Sequence, residues 1–166
     1  MAESEKIMYT FKKSQEPESV MYYSSKICNI YYPFSADFNE NMARFPGQLK
    51  FLFGEPLYMN EDFENMLEYI IEATDESGNT LLLSVYCAGS GPAIGGHTKD
   101  NEAEYEKAAE ELAAYIRQAD TLDYEYKGYY LDGPCKIKMG VKNGKPYYEE
   151  KEMSEKEVMK LYEKFN

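Results

Sequence analysis

The sequence predicts an α+β fold, a mainly antiparallel sheet of about five to seven strands with two to four helices packed against it, in a single domain over residues 1–166. Three observations carry that reading. Two extended runs, at 67–74 and 80–87, flank the turn sequence Asp75-Glu76-Ser77-Gly78-Asn79. Asn143-Gly144 separates two further runs, and both residues tolerate the positive φ of a type I′ hairpin. The helical patterns do not alternate with single strands, as a parallel β-α-β architecture would require.

From the N-terminus, Ile7, Tyr9 and Phe11 alternate with polar residues, which predicts a half-buried strand over 6–12. After the turn at Glu16-Pro17-Glu18, residues 20–32 are rich in Tyr and Ile and read as a second extended segment, ended by Pro33. A short helix is expected to begin over 37–45. Pro46-Gly47 should interrupt it before 48–53, and Gly54-Glu55-Pro56 stops the chain. Between 59 and 73 the spacing fits two templates: Phe63, Met66, Leu67, Ile70 and Ile71 on a helix face, or Leu67, Tyr69, Ile71 and Ala73 on a strand. The turn that follows favours a hairpin of 67–74 with 80–87, whose second arm holds Leu81-Leu82-Leu83 and so reads as a central strand covered on both faces.

Residues 88–97, ending Gly95-Gly96-His97, read as a glycine-rich loop. Beyond it, Asn101 and Glu104 have the spacing of a capping box, and Ala108, Ala109, Leu112, Ala113, Tyr115 and Ile116 make an apolar helix face. Strands are expected at 124–130, 134–141 and 145–149, with Ile137, Met139 and Val141 on one face. A second capping box, Ser154 with Glu157, opens a last helix in which Val158, Leu161, Tyr162 and Phe165 recur as one buried stripe.

Composition bounds the function. With 43% apolar and 15% aromatic residues the chain carries too many core-forming side chains for intrinsic disorder. No apolar run reaches the length of a membrane span, and Met1-Ala2-Glu3-Ser4-Glu5-Lys6 lacks the basic and apolar regions of a secretory signal. A soluble, cytoplasmic protein without a membrane partner is expected. The net charge of −12 is unevenly spread: residues 61–125 hold three bases against sixteen acids, whereas 126–166 hold nine against seven. An acidic field repels phosphate backbones, so nucleic acid is not expected as a ligand; it attracts a basic protein, or serves solubility alone.

Candidate chemistry is sparse. Cys28, Cys87 and Cys135 are widely spaced and contain no C-x-x-C pair, so they read as reduced, buried thiols. No ligand spacing suggests a metal, and no motif calls for a cofactor. Gly89-Ser90-Gly91-Pro92-Ala93-Ile94-Gly95 reads G-x-G-x-x-x-G, one residue off the dinucleotide fingerprint, and Pro92 removes a backbone donor. Its glycines serve backbone shape, or Ser90, Gly91, Gly95, Gly96 and His97 contact a ligand. His97 is the single histidine, so a dyad with Cys87 or Cys135, oriented by Asp132, can be written, although no spacing demands it. Seventeen tyrosines include the pairs Tyr22-Tyr23, Tyr31-Tyr32, Tyr129-Tyr130 and Tyr147-Tyr148. Adjacent strand residues face opposite ways, so one ring of each pair meets solvent or a partner, or else packs on the sheet surface.

Leu52-Phe53-Gly54-Glu55-Pro56, the turn at Gly78, Val85-Tyr86 and Ser90-Gly91-Pro92-Ala93-Ile94-Gly95-Gly96 together resemble small uncharacterised proteins of Gram-positive and gut bacteria, some of them similar to immunity proteins of polymorphic toxin systems. The resemblance spans residues 45–135 and transfers no catalytic residue. It implies a cytosolic protein that binds and blocks a toxin domain, often through an acidic surface when the toxin is a basic nuclease. The leading expectation is thus an inhibitor whose partner-binding residues are Glu102, Glu104, Glu106, Glu110, Glu111, Asp120, Asp123 and Tyr129. The competing one is a small hydrolase or ligand-binding domain built on the 89–97 loop and His97.

Overall fold

The computed structural model describes residues 8–15, 25–31, 35–88, 91–97 and 101–164. Nine strands and three α-helices follow in the order β1 (Tyr9–Lys13), β2 (Ser25–Asn29), α1 (Phe38–Phe53), β3 (Tyr58–Met59), β4 (Leu67–Asp75), β5 (Thr80–Ala88), β6 (Gly91–Gly96), α2 (Glu102–Arg117), β7 (Tyr124–Tyr130), β8 (Cys135–Lys142), β9 (Lys145–Glu152) and α3 (Glu155–Lys164). Every strand pairing is antiparallel. The larger sheet runs β1-β4-β5-β6-β2, with β3 added to β4, and a separate sheet runs β7-β8-β9. The α+β class is as expected, but the strands divide between two sheets.

The hairpins that the turns predict are present. Thr74 faces Thr80 across β4 and β5, with Asp75 Oδ1 accepting the Ser77 and Asn79 backbone N–H groups at 2.9 Å. Asn143 and Gly144 take φ of 53° and 79°, which closes β8 onto β9. Alternation then buries Ile137, Met139 and Val141. The central position of β5 explains its apolar run, since Leu81, Leu83, Val85 and Cys87 enter the core. On the other face Glu68 is fully buried, and accepts a 2.6 Å hydrogen bond from Ser84 Oγ.

Two expectations fail for tertiary reasons. The helix does not break at Pro46-Gly47, for α1 continues to Phe53. A strap at 119–124 lies along it. Tyr124 Oη donates to the Ala43 carbonyl, Thr121 Oγ1 to Arg44 O at 3.3 Å, Leu122 N to Gly47 O at 3.1 Å, and Gln48 Nε2 to Ala119 O at 3.1 Å. Those bonds, with the burial of Phe45, Pro46, Gly47 and Leu49, outweigh the local helix-breaking tendency of about 3 kcal/mol for Pro and 1 kcal/mol for Gly. The Asn101 side chain likewise makes no capping hydrogen bond to α2.

The second failure is the loop expected at 88–97: Ala88 ends β5 and 91–96 form β6, a fully buried strand between β5 and β2, while 89–90 lie outside the described residues. Its glycines are there because neighbours need the space. A Cβ on Gly91, whose φ is +104°, would lie 2.8 Å from the Phe38 ring, and one on Gly96 would lie 2.9 Å from Tyr105. Helix α2 packs Ala108, Ala109, Leu112, Ala113 and Ile116 into the core, while α1 bridges α2 and β6 to β8 and β9. A single apolar cluster therefore joins both sheets. No helix of the described residues is long and apolar enough to cross a membrane.

Candidate functional site

Helix α2 presents its acids on two flanks. Glu102, Glu106 and Glu110 recur at i, i+4 and i+8, and so form one stripe on the exposed side. Glu104 is also exposed, on the flank toward β1. None of these four carboxylates has an ion pair among the described residues. Lys107 turns away from the stripe and places Nζ 2.7 Å from Met8 Sδ. The field of this helix is felt by its neighbours. Burial first, then the Glu104, Glu111 and Asp75 carboxylates, push the Tyr9 phenol above its ordinary value.

At the far end of the stripe, Glu110 and Arg117 line a cleft of about 580 Å³ with Cys28, Asn29, Tyr31 and Asn41. Arg117 Nη1 donates to Ile30 O at 3.2 Å. Asn29 Oδ1 is buried there without a hydrogen-bond partner among the described residues. A buried acceptor of that kind costs about 1–3 kcal/mol until a donor reaches it. Beside it the Cys28 thiol is pushed up to about 11, first by burial and then by Glu110.

Other residues expected at the site have structural duties. Glu111 Oε1 accepts the Met8 N–H at 2.6 Å and ties β1 to α2. The Asp123 carboxylate accepts Asn143 N at 2.8 Å and Gly144 N at 3.1 Å, so it holds the β8–β9 turn. Asp120 is exposed on the strap beyond α2. Tyr129, expected as an exposed anchor, is only 8% exposed, and its backbone N–H donates to Glu61 O at 2.8 Å. The segment at 61–62 lies alongside β7 through a bridge of Asp62 with Tyr129. Of the tyrosine pairs, Tyr22, Tyr23 and Tyr32 lie outside the described residues.

The glycine-loop alternative loses its geometry. Gly91, Gly95 and Gly96 are paired with β5 on one side, and Gly95 and Gly96 also with β2 on the other, so among the described residues these glycines form strand and not an open cradle. Ser90 lies outside the described residues, and His97 is the exposed residue that follows the strand. Cys87, the nearest thiol candidate by sequence, is fully buried, and burial pushes it up to about 12, which disfavours the nucleophilic thiolate. No group of three His, Cys, Asp or Glu side chains placed to hold a metal occurs among the described residues.

One surface was missed by the sequence reading. The outward positions of β7, β8 and β9 bring together Lys127, Tyr129, Lys136, Lys138 and Lys151, beside Lys160 and Lys164 of α3. Part of the signal was available, since Lys136 and Lys138 alternate with the buried residues of β8 and the Asn143-Gly144 turn sets the register that brings Lys151 opposite Lys136. Comparison with protein-family models, with curated proteins and with solved structures gives no match.

Proposed function

We propose that the protein is a cytoplasmic protein-binding module, an inhibitor similar in role to toxin immunity proteins, which neutralises a basic protein by covering it with the acidic face of α2. One observation carries this reading. Among the described residues, the stripe Glu102–Glu106–Glu110 is free of ion pairs and leads to a cleft where the buried Asn29 Oδ1 has no donor. A Lys or Arg side chain of a partner supplies both what the stripe attracts and what the cleft needs: positive charge, and N–H groups. The chemistry is recognition, not turnover, and requires no cofactor.

The test is charge reversal. E102K/E106K/E110K alters exposed positions, so the domain is expected to fold as the parent does. Against a captured basic partner the association rate should fall by about tenfold and lose most of its salt dependence, since complementary charge acts chiefly on encounter. Unchanged association kinetics would remove α2 from the interface.

A further inference from the structure

The outward face of the small sheet gathers lysines in excess of the carboxylates that stand among them. In its antiparallel registers Lys127 lies directly opposite Lys138, which faces Glu149 on its other side, and Lys136 lies directly opposite Lys151. Like charges facing each other across strands destabilise a sheet. Two of these lysines are relieved, Lys136 by Glu157 and Lys127 by Glu125 at 3.4 Å. Lys138, Lys151, Lys160 and Lys164 are exposed and have no ion pair among the described residues.

The same lysines rim a groove of about 680 Å³ between the sheet and α3, with Tyr129, Met153 and Leu161 along its wall. Helix α3 is expected to bury the stripe Val158, Leu161, Tyr162 and Phe165; Phe165 lies outside the described residues, and the other three are not buried. None of its residues is buried; Val158 and Leu161 are half-covered, while Met159 and Tyr162 are 61% and 51% exposed. Ser154 and Glu157 form the expected capping box, with Glu157 N donating to Ser154 Oγ at 3.2 Å, so the helix is well started yet lightly seated.

We infer that this groove docks an acidic, amphipathic segment of a partner protein, one that sets carboxylates against Lys138, Lys151, Lys160 and Lys164 and apolar side chains against Leu161 and Met153. The inference is independent of the α2 face. Charge complementarity selects the occupant's sign, because the groove is lined by six lysines against three glutamates. The apolar wall selects a peptide over a bare anion. Glu61, Glu149 and Glu157 stand among the lysines, and discrete carboxylates of a peptide can be spaced to avoid them, whereas a continuous phosphate backbone cannot.

The experiment measures fluorescence anisotropy of a labelled synthetic peptide of alternating Glu and Leu on the full chain, with an alternating Glu and Gly peptide and a labelled oligothymidylate in parallel. Saturable binding of the Glu-Leu peptide is expected, weaker binding of the Glu-Gly peptide, and a loss of about tenfold in K138E/K151E, which changes exposed side chains only. E102K/E106K/E110K should retain binding, which separates this groove from the acidic helix. Circular dichroism of each variant checks folding, and L161A supplies a second, uncharged variant that should also weaken the peptide. Failure of the Glu-Leu peptide to saturate, or equal affinity for parent and K138E/K151E, would overturn the inference. Tighter binding of the oligothymidylate than of the peptide would overturn it in favour of a nucleic-acid surface.

Discussion

Replacing Gly47 by Ala tests how the strap and α1 hold one another. In an exposed helix the change stabilises, by about 1 kcal/mol, because Gly is a poor helix former. Here the added Cβ would press into Thr121 Oγ1 and sit 2.5 Å from the Leu122 carbonyl oxygen, with Leu122 N at 3.3 Å. Backbone cannot swing aside as a side chain can. Overpacking of this kind costs about 1–3 kcal/mol, and displacing the strap threatens the 3.1 Å Leu122 N–H bond to Gly47 O, worth about 0.5–1.5 kcal/mol. Set against the propensity gain, the balance is a destabilisation of about 1–3 kcal/mol, or roughly 3–10 °C in Tm for a chain of this size. Thermal and urea unfolding followed by circular dichroism measure it. The double variant G47A/T121A should recover part of the loss, since it removes the nearer obstacle and leaves the Leu122 carbonyl. A G47A protein as stable as the parent, or more so, would refute the packing of the strap on α1.

Three further outcomes are expected. D123N should lower Tm through weakened bonds to the Asn143 and Gly144 N–H groups, by about 1 kcal/mol or less at so exposed a site, and should leave association with a basic partner unchanged; a lost association rate would return Asp123 to the interface. Glu157 is held below its ordinary 4.5, first by its hydrogen bond from Lys136 and then by the Ser154 backbone N–H. A depressed folded-state value means that its contribution is present above 4.5 and lost as pH falls through the lower folded-state value, so hydrogen exchange at α3 should accelerate there, and E157Q should show no such step. Cys87, fully buried and pushed up to about 12, should resist a thiol reagent at pH near 8 until the protein unfolds; modification in the native state would mean that β5 opens.

The sequence made legible whatever local chemistry decides. The turn at Asp75–Asn79, the Asn143-Gly144 hairpin, the buried face of β8 and the capping box of α3 all follow from residues a few positions apart. It was silent where distant segments decide. Pro46 and Gly47 signal a helix end, and only the strap at 119–124 explains why α1 passes through them. Glycine has low strand propensity, so β6 is invisible until β5 and β2 are placed on either side and Phe38 and Tyr105 occupy the space of absent side chains. Adjacency to Tyr130 suggests an exposed Tyr129, yet it is buried.

For the site, the acids of α2 were legible as a charged helix face, but their division of labour was not. Glu111 and Asp123 look the same in sequence as Glu106, and only their bonds to Met8 N and to the hairpin turn set them apart. The lysine face is different: Lys136 and Lys138 alternate in β8, but Lys127, Lys151, Lys160 and Lys164 join them only through the pairing of β7 and β9 and the placing of α3. Residues 126–166 sum to little net charge because their seven acids nearly balance nine lysines, yet six of those lysines line one groove with only Glu149 and Glu157 of the segment's acids among them. Net charge by segment therefore reports composition, while strand register reports where charge stands.

The central claim, that the acidic face of α2 recognises a basic protein, is tested most directly by side-by-side capture. Immobilised parent protein and E102K/E106K/E110K are exposed to the same native-cell lysate at matched ionic strength, and retained proteins are identified by mass spectrometry across a salt gradient. The account predicts a basic protein held in stoichiometric amount by the parent, released as salt rises and missing from the charge-reversed variant. Equal retention of the same protein by both, or a partner that stays bound irrespective of salt, would contradict it.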